Sequence, residues 1–339
     1  MGVSINEIAD YAGVARITVY RTLANHPSIS GGTRARVVRA IQELGYPRLQ
    51  KRGRMPPHPG MALWLPGLSL ALATPYVADA VAALESEVAR RRNSLRILSA
   101  PLPESPADMP LELLRENFQG VFTVAFYSDR HLGILARRWP VVSLFSTREV
   151  PGVVSISPDY AGAARLAVEH LAELGHRRIA LVVGQVRERN FSRLFLDGYS
   201  GAMVHAGLTP DPRLIHSHDG NVGHGEAAIL NPPGLAAARE LLDRPEKPTA
   251  IVARQDSLPG ILKALADRGL KLPDDVSVVG CGTESLASSS TPRLTVVSFS
   301  ANSMAELALQ MVTSVPAQGV RMLVPLELQP GESTGRVKP

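Results

Sequence analysis

Apolar residues return every three or four positions near the start of the chain; from residue 61 they gather into short unbroken runs separated by longer amphipathic stretches. The first pattern predicts helices. Ile5, Ile8, Ala9 and Ala12 share one helical face. Ser4 and Glu7 have capping-box spacing, and Gly13 can take the left-handed conformation that ends a helix. A second helix is expected over residues 17–24, with Val19 and Leu23 inward. Ser30 or Thr33 can cap a third, in which Val37, Ala40, Ile41 and Leu44 line one side until Gly45 stops it. Three short helices with a glycine turn between the first two have the outline of a helix-turn-helix, whose second helix enters the major groove of DNA.

The second pattern predicts strands alternating with helices. Apolar runs at 61–65, 95–99, 120–126 and 140–145 are separated by helical stretches at 77–92, 110–117 and 130–138. After 153–157 the cycle restarts, with runs at 178–184, 249–253 and 276–280 and helical stretches at 159–175, 191–207, 234–243 and 257–269. Two sets of βαβ units imply two parallel sheets with helices on both faces. Ligands of such sheets bind beyond the carboxyl ends of the strands.

Charge changes the picture because it is unevenly placed. Residues 1–54 hold nine Lys or Arg against three acidic residues, a local +6, whereas the rest of the chain nets −1. A small basic module that meets a polyanion, attached to a neutral body, fits this asymmetry. The 339 residues, 45% hydrophobic, are enough for two or three globular units. One cysteine, Cys281, allows neither an intrachain disulfide nor a cysteine-based zinc cluster, which fits a reducing compartment. No leader-like segment and no apolar run of about 18 residues is present, so a cytoplasmic bacterial protein outside the membrane is expected.

Residues 5–46, INEIADYAGVARITVYRTLANHPSISGGTRARVVRAIQELGY, resemble the DNA-binding head of the LacI/GalR family of bacterial regulators. The matches are Ala9, Ala12, Gly13, Val14, Thr18, Val19, Arg21, Leu23, Asn25, Ser30, Thr33, Arg34, Gly45 and Tyr46. The resemblance implies base reading by Arg16, Ile17 and Arg21, and backbone contacts from Thr18, Tyr20, Asn25, Thr33 and Arg34. Arginine can bond bidentately to guanine and isoleucine can touch a thymine methyl, whereas phosphate contacts fix register. Two positions depart from the family: Ala15 stands where a serine usually caps the recognition helix, and Tyr20 replaces a small serine. The family's linker normally forms a hinge helix that puts a leucine into the minor groove. Here "RLQKRGRMPPHPG" is rich in proline and glycine, so a long helix is disfavoured. Arg48, Lys51, Arg52 and Arg54 are expected to touch phosphates, with Met55 as the candidate wedge.

Similarity to the family's periplasmic-binding-protein-like core extends over most of residues 61–335, including "DYAGAARLAVEHLAELGHRRIALVVG", "ARQD" and the closing "GEST". The expected architecture is an all-α head (1–47), a basic linker (48–60) and a two-lobed α/β core (61–339). By this likeness lobe one comprises about 61–158 plus 290–318, and lobe two 159–289 plus 319–335. The resemblance implies a homodimer on pseudo-palindromic double-stranded DNA, tuned by a small-molecule effector, such as a sugar or derivative, between the lobes. Its candidate contacts are Tyr76, Phe126, Arg193, Phe195 and Asp256. Asp256 can equally cap a helix starting at 257, and Tyr76, Phe126 and Phe145 can equally be core. Family members carry an arginine where this chain has Phe195, and its loss removes a fork donor for carboxylates and sugar hydroxyls. An unusual or more apolar effector, or none, is the expectation.

Competing chemistries are poorly represented. His216, His218 and His224 lie in a Gly/Asn-rich stretch without metal-ligand spacing, and the "GCG" of 280–282 lacks the third glycine of a dinucleotide turn. No G-x-S-x-G elbow occurs and Cys281 has no assigned base, so no catalytic residue, metal or cofactor is expected. A periplasmic-type solute-binding protein or a sugar-processing enzyme on the same core is the alternative, but the first would not carry residues 4–46 and the second would need a catalytic constellation that the sequence does not offer.

Overall fold

The computed structural model describes residues 3–23, 28–44, 60–67, 74–116, 118–124, 127–186, 191–218, 231–288 and 290–337. The chain divides into two compact units, one of residues 1–71, 85–155 and 308–320, the other of 72–84, 156–307 and 321–339.

The first unit begins with helices Ile5–Ala12, Arg16–Leu23 and Gly31–Glu43. The capping box forms: Ser4 Oγ accepts from Glu7 N at 3.3 Å and Glu7 Oε2 accepts from Ser4 N at 2.6 Å. Gly13, at φ 61° and ψ 45°, turns the chain in the left-handed region that glycine enters without steric cost. Of the two candidate caps of the third helix, Ser30 acts, its hydroxyl accepting from Thr33 N at 3.3 Å. Ile8, Ala9, Ala12, Val19, Val37, Ala40 and Ile41 make one small core, with Leu23 and Leu44 packed at its edge. Tyr11 donates to the Glu43 carboxylate and ties the first helix to the third.

Twelve strands among the described residues form two six-stranded sheets. They are β1 (Met61–Leu65), β2 (Leu95–Ser99), β3 (Val121–Val124), β4 (Val141–Leu144), β5 (Val153–Pro158), β6 (Ile179–Gly184), β7 (Ile215–His218), β8 (Ala250–Arg254), β9 (Ser277–Thr283), β10 (Thr295–Phe299), β11 (Val320–Val324) and β12 (Leu326–Gln329). The sheet orders are β11-β5-β4-β3-β1-β2 and β12-β10-β9-β8-β6-β7. The return segments differ from expectation. Strand β10 pairs in parallel with β9 in the second sheet and β11 belongs to the first, so 290–299 and 320–324 exchange the lobes assigned by resemblance. A short connection after β9 lets β10 lie directly beside it, and only β12, antiparallel to β10, meets the expectation for that stretch.

In the second unit, alternation along each strand builds two cores. Ile179, Leu181, Val183, Val252 and Val279 face helices Tyr160–Glu173 and Phe191–His205. Ala180, Val182, Ile251, Ala253 and Val278 face helices Leu235–Leu242 and Leu258–Ala266. Both sides are covered, so β6 and β8 are buried at every position, as their unbroken apolar runs require. Gly198 lets the first pair of helices touch: a Cβ there would lie 2.2 Å from Ala161 O. The order reverses at β6, which pairs in parallel with both β7 and β8. Beyond the carboxyl ends of β6 and β8 is therefore the topological switch point, the place where this architecture takes ligands.

Candidate functional site

Two surfaces carry chemistry. On helix Arg16–Leu23, Val19 and Thr22 are fully buried, which leaves Arg16, Ile17, Tyr20 and Arg21 exposed on the opposite side. Ile17 is 55% exposed, an apolar side chain held in water between arginines. That combination suits the major groove, with guanidinium forks for guanine and methyls for thymine. Arg16 Nη2 donates to Tyr20 Oη at 3.3 Å, with its Cζ 5.7 Å from the ring centroid, so the unusual tyrosine holds a base-reading candidate in place. Ala15 offers no capping oxygen, and only its carbonyl accepts, from Thr18 N at 2.8 Å and Val19 N at 3.4 Å. Thr18, Thr33 and Arg34 are partly exposed. Asn25, Arg48, Lys51, Arg52, Arg54 and Met55 lie outside the described residues.

The second surface lies at the switch point. Arg254, last residue of β8, is 6% exposed although charged. Its Cζ lies 4.0 Å from the Phe191 ring centroid and 5.7 Å from those of Tyr76 and Tyr160. Three rings thus line a guanidinium, an arrangement favoured by the ring quadrupoles. Nε donates to Asp256 Oδ1 at 3.4 Å. Burial opposes the charge on Arg254, but its partners, the Asp256 carboxylate foremost, outweigh it, and its pKa stands above the ordinary guanidinium value. Burial raises the pKa of Tyr76 and Tyr160, so both phenols stay neutral. A polar net lies alongside, in which Thr283 N donates to Gln255 Oε1 at 3.0 Å. Thr283 Oγ1 and Ser285 Oγ donate to Asp79 Oδ2 at 2.5 and 2.7 Å.

The structure brings Tyr76 and Asp256 together around Arg254 but separates the other effector candidates. Phe195 is 1% exposed within the core packed on helix Phe191–His205, and a side chain buried there is part of the packing. Arg193 turns to Asp197 one turn on, Nε to Oδ1 at 2.9 Å, with more than half of its side chain exposed. Phe126 lies outside the described residues, and Phe145 is buried. Ser257, not Asp256, stands at the N-cap of helix Leu258–Ala266. His216 and His218 sit on β7 rather than in a loop, bonded to Arg213 O at 3.1 Å and to Ser257 Oγ at 2.8 Å; His224 is outside the described residues. Cys281 is core, its thiol pushed up to about 12 by burial. Sequence reasoning missed Arg254, Tyr160 and Phe191. One signal was available: "AIVAR" ends an otherwise apolar, fully buried strand on a charge.

Residues 4–48 match the family model of bacterial regulatory proteins of the lacI family, and residues 168–334 match a periplasmic binding protein-like domain. An uncharacterized HTH-type transcriptional regulator from the aml 5' region of Streptomyces limosus is 31% identical over 316 residues, 89% of this chain and 85% of the relative. The chain belongs to the LacI/GalR family. It is a DNA-binding transcriptional regulator with a helix-turn-helix head and two α/β lobes of the periplasmic-binding-protein type. Another LacI/GalR member, the ribose operon repressor of Escherichia coli K12, is 26% identical over 332 residues, 96% of this chain and 97% of that one. A solved structure described as a transcriptional regulator CelR–cellobiose complex is 27% identical, covers 98% of this chain and 99% of that one, and superposes with a TM-score of 0.65. Phe195, at the position where the resemblance leads to an arginine, is core, and β8 ends on the buried Arg254.

Proposed function

We propose that this regulator is a cytoplasmic repressor that binds a pseudo-palindromic operator as a homodimer and responds to a small molecule at the Arg254–Asp256 cluster. The exposed Arg16, Ile17, Tyr20 and Arg21 face on a capped helix-turn-helix carries the operator reading. Two heads on one dimer would address half-sites about one helical turn apart, or a multiple of that. The linker residues Arg48, Lys51, Arg52 and Arg54 would add phosphate contacts, and Met55 a minor-groove wedge. Effector response is supported by the charged and aromatic cluster at the switch point of the second sheet, and by a relative whose structure is described as a cellobiose complex. An effector can shift operator binding only through its different affinities for the binding and non-binding states. Selection of operator sequences by the purified protein from a random double-stranded library tests the reading. A pseudo-palindromic consensus is the expected result; enrichment of no sequence would reject it.

A further inference from the structure

Taking the second unit as the effector receptor proposed above, we propose that its ligand is a small organic acid. Its carboxylate or phosphate accepts from Arg254 Nη1 and Ser192 Oγ, and it carries a hydroxyl or amine beside that group. Arg254 Nη1 and Ser192 Oγ are shielded from water, and neither has a hydrogen-bond partner among the described residues. Native proteins seldom leave buried polar groups in that condition, and a charged donor is the costliest to leave so.

Both donors belong to one place. Ser192 is fully buried in the first turn of the fifteen-residue helix Phe191–His205, next to the ring on which the Arg254 guanidinium lies. A Cβ built on Gly184, the last residue of β6, would lie 3.7 Å from Ser192 Oγ and 3.8 Å from Asp256 Oδ2. The hydroxyl and the carboxylate therefore flank the end of β6, with the guanidinium on the neighbouring strand β8. The rings of Phe191, Tyr76 and Tyr160 limit the ligand to directions in the guanidinium plane, where its N–H groups point.

A neutral sugar fits this arrangement poorly. Sugars favour an aromatic face, and the guanidinium already covers Phe191 at 4.0 Å. An oxyanion instead gains a charge-assisted bond from Nη1, and the positive end of the helix that starts at Phe191 adds to the attraction. Asp256 occupies the Nε side of the fork at 3.4 Å and would repel a bare anion. A ligand that places a hydroxyl or ammonium donor against Asp256 removes that conflict, which confines the class to hydroxy acids, amino acids, sugar acids and sugar phosphates.

Isothermal titration of the full chain tests this with gluconate, glucuronate, glucose 6-phosphate, serine and the neutral parent glucose, each ligand also scored for its effect on operator binding. At least one acid should bind, with glucose roughly tenfold weaker or more, because a charge-assisted bond is about twice as strong as a neutral one. The oxyanion that binds tells carboxylate from phosphate. Arg254→Lys should weaken the acid roughly tenfold or more, since a point charge replaces a fork. Ser192→Ala, which leaves Arg254 and its rings in place, should weaken it as well. Equal binding of glucose and the acids, or acid binding untouched by both variants, overturns the acid class while the effector reading stands. Failure of every compound to bind or to change operator affinity overturns both.

Discussion

Arg21 and Ile17 show how one residue's exposure carries meaning on a short helix. Both project from the side opposite Val19, which the head's core fixes, so their orientation is a consequence of packing. Arg16 differs because Tyr20 holds it one turn away. A bidentate arginine contact discriminates by about 1–3 kcal/mol, whereas a phosphate contact weakens all sequences alike. Replacing Arg21 with alanine should therefore weaken the selected operator by ten- to a hundredfold more than random DNA, measured by fluorescence anisotropy at fixed salt. Equal losses on both would reject its base-reading role.

At the scale of elements, the closing segment of the chain is tied to the second sheet at a seam around one buried histidine. His176 is 3% exposed; Nδ1 lies 2.9 Å from Thr249 Oγ1, and Nε2 lies 3.0 Å from both Ser277 Oγ and Gly335 O. Ser333 Oγ donates to Val278 O at 2.6 Å and accepts from Thr295 N at 2.8 Å, extending the seam over the second sheet. Burial lowers the pKa of His176 from its ordinary value near 6.5, and His170, bonded to Thr334, is lowered for the same reason. A depressed folded pKa means that the unfolded chain binds the proton more readily. The contribution to stability is then complete above about pH 6.5 and is lost as pH falls through the folded value. Melting temperature should drop from pH 7 to pH 5, and His176→Ala should flatten that drop while costing about 1–3 kcal/mol at pH 7 from unsatisfied buried partners. An unchanged pH profile in the variant would remove His176 as its source.

For the whole molecule, the positive charge is concentrated in the head and linker, while the rest is nearly neutral. Association with DNA should accordingly depend on salt through that segment alone. Each neutralised phosphate contributes about 0.9 to the slope of log K against log salt. Changing Arg48, Lys51, Arg52 and Arg54 together to glutamine should lower the slope by up to about four per chain, read from operator titrations between low and physiological salt. An unchanged slope would make the linker a tether that leaves the phosphates untouched. The two sheets divide the remaining work. Their strand order creates a switch point, and the second sheet places its one buried arginine among the described residues there.

Local signals determined the head. Ser4, Glu7, Gly13 and the apolar faces of three helices act within a few residues of one another, so the capping box, the glycine turn and the inward and exposed sides of the second helix were all legible in sequence. Strand and helix alternation likewise fixed the α/β character of the body, since burial on both faces demands unbroken apolar runs. Tertiary structure decided which sheet received the returning strands: β10 follows its neighbour β9 into the second sheet, while β11 is placed beside β5, far away in the chain. It also decided the candidate effector site. Tyr76, Tyr160, Phe191 and Arg254 are spread over more than 170 residues and carry no shared spacing. Strand pairing at β6 and β8, the helix that follows β6, and the packing of Tyr76 and Tyr160 bring three rings around the Arg254 guanidinium, whereas Phe195 is part of the core.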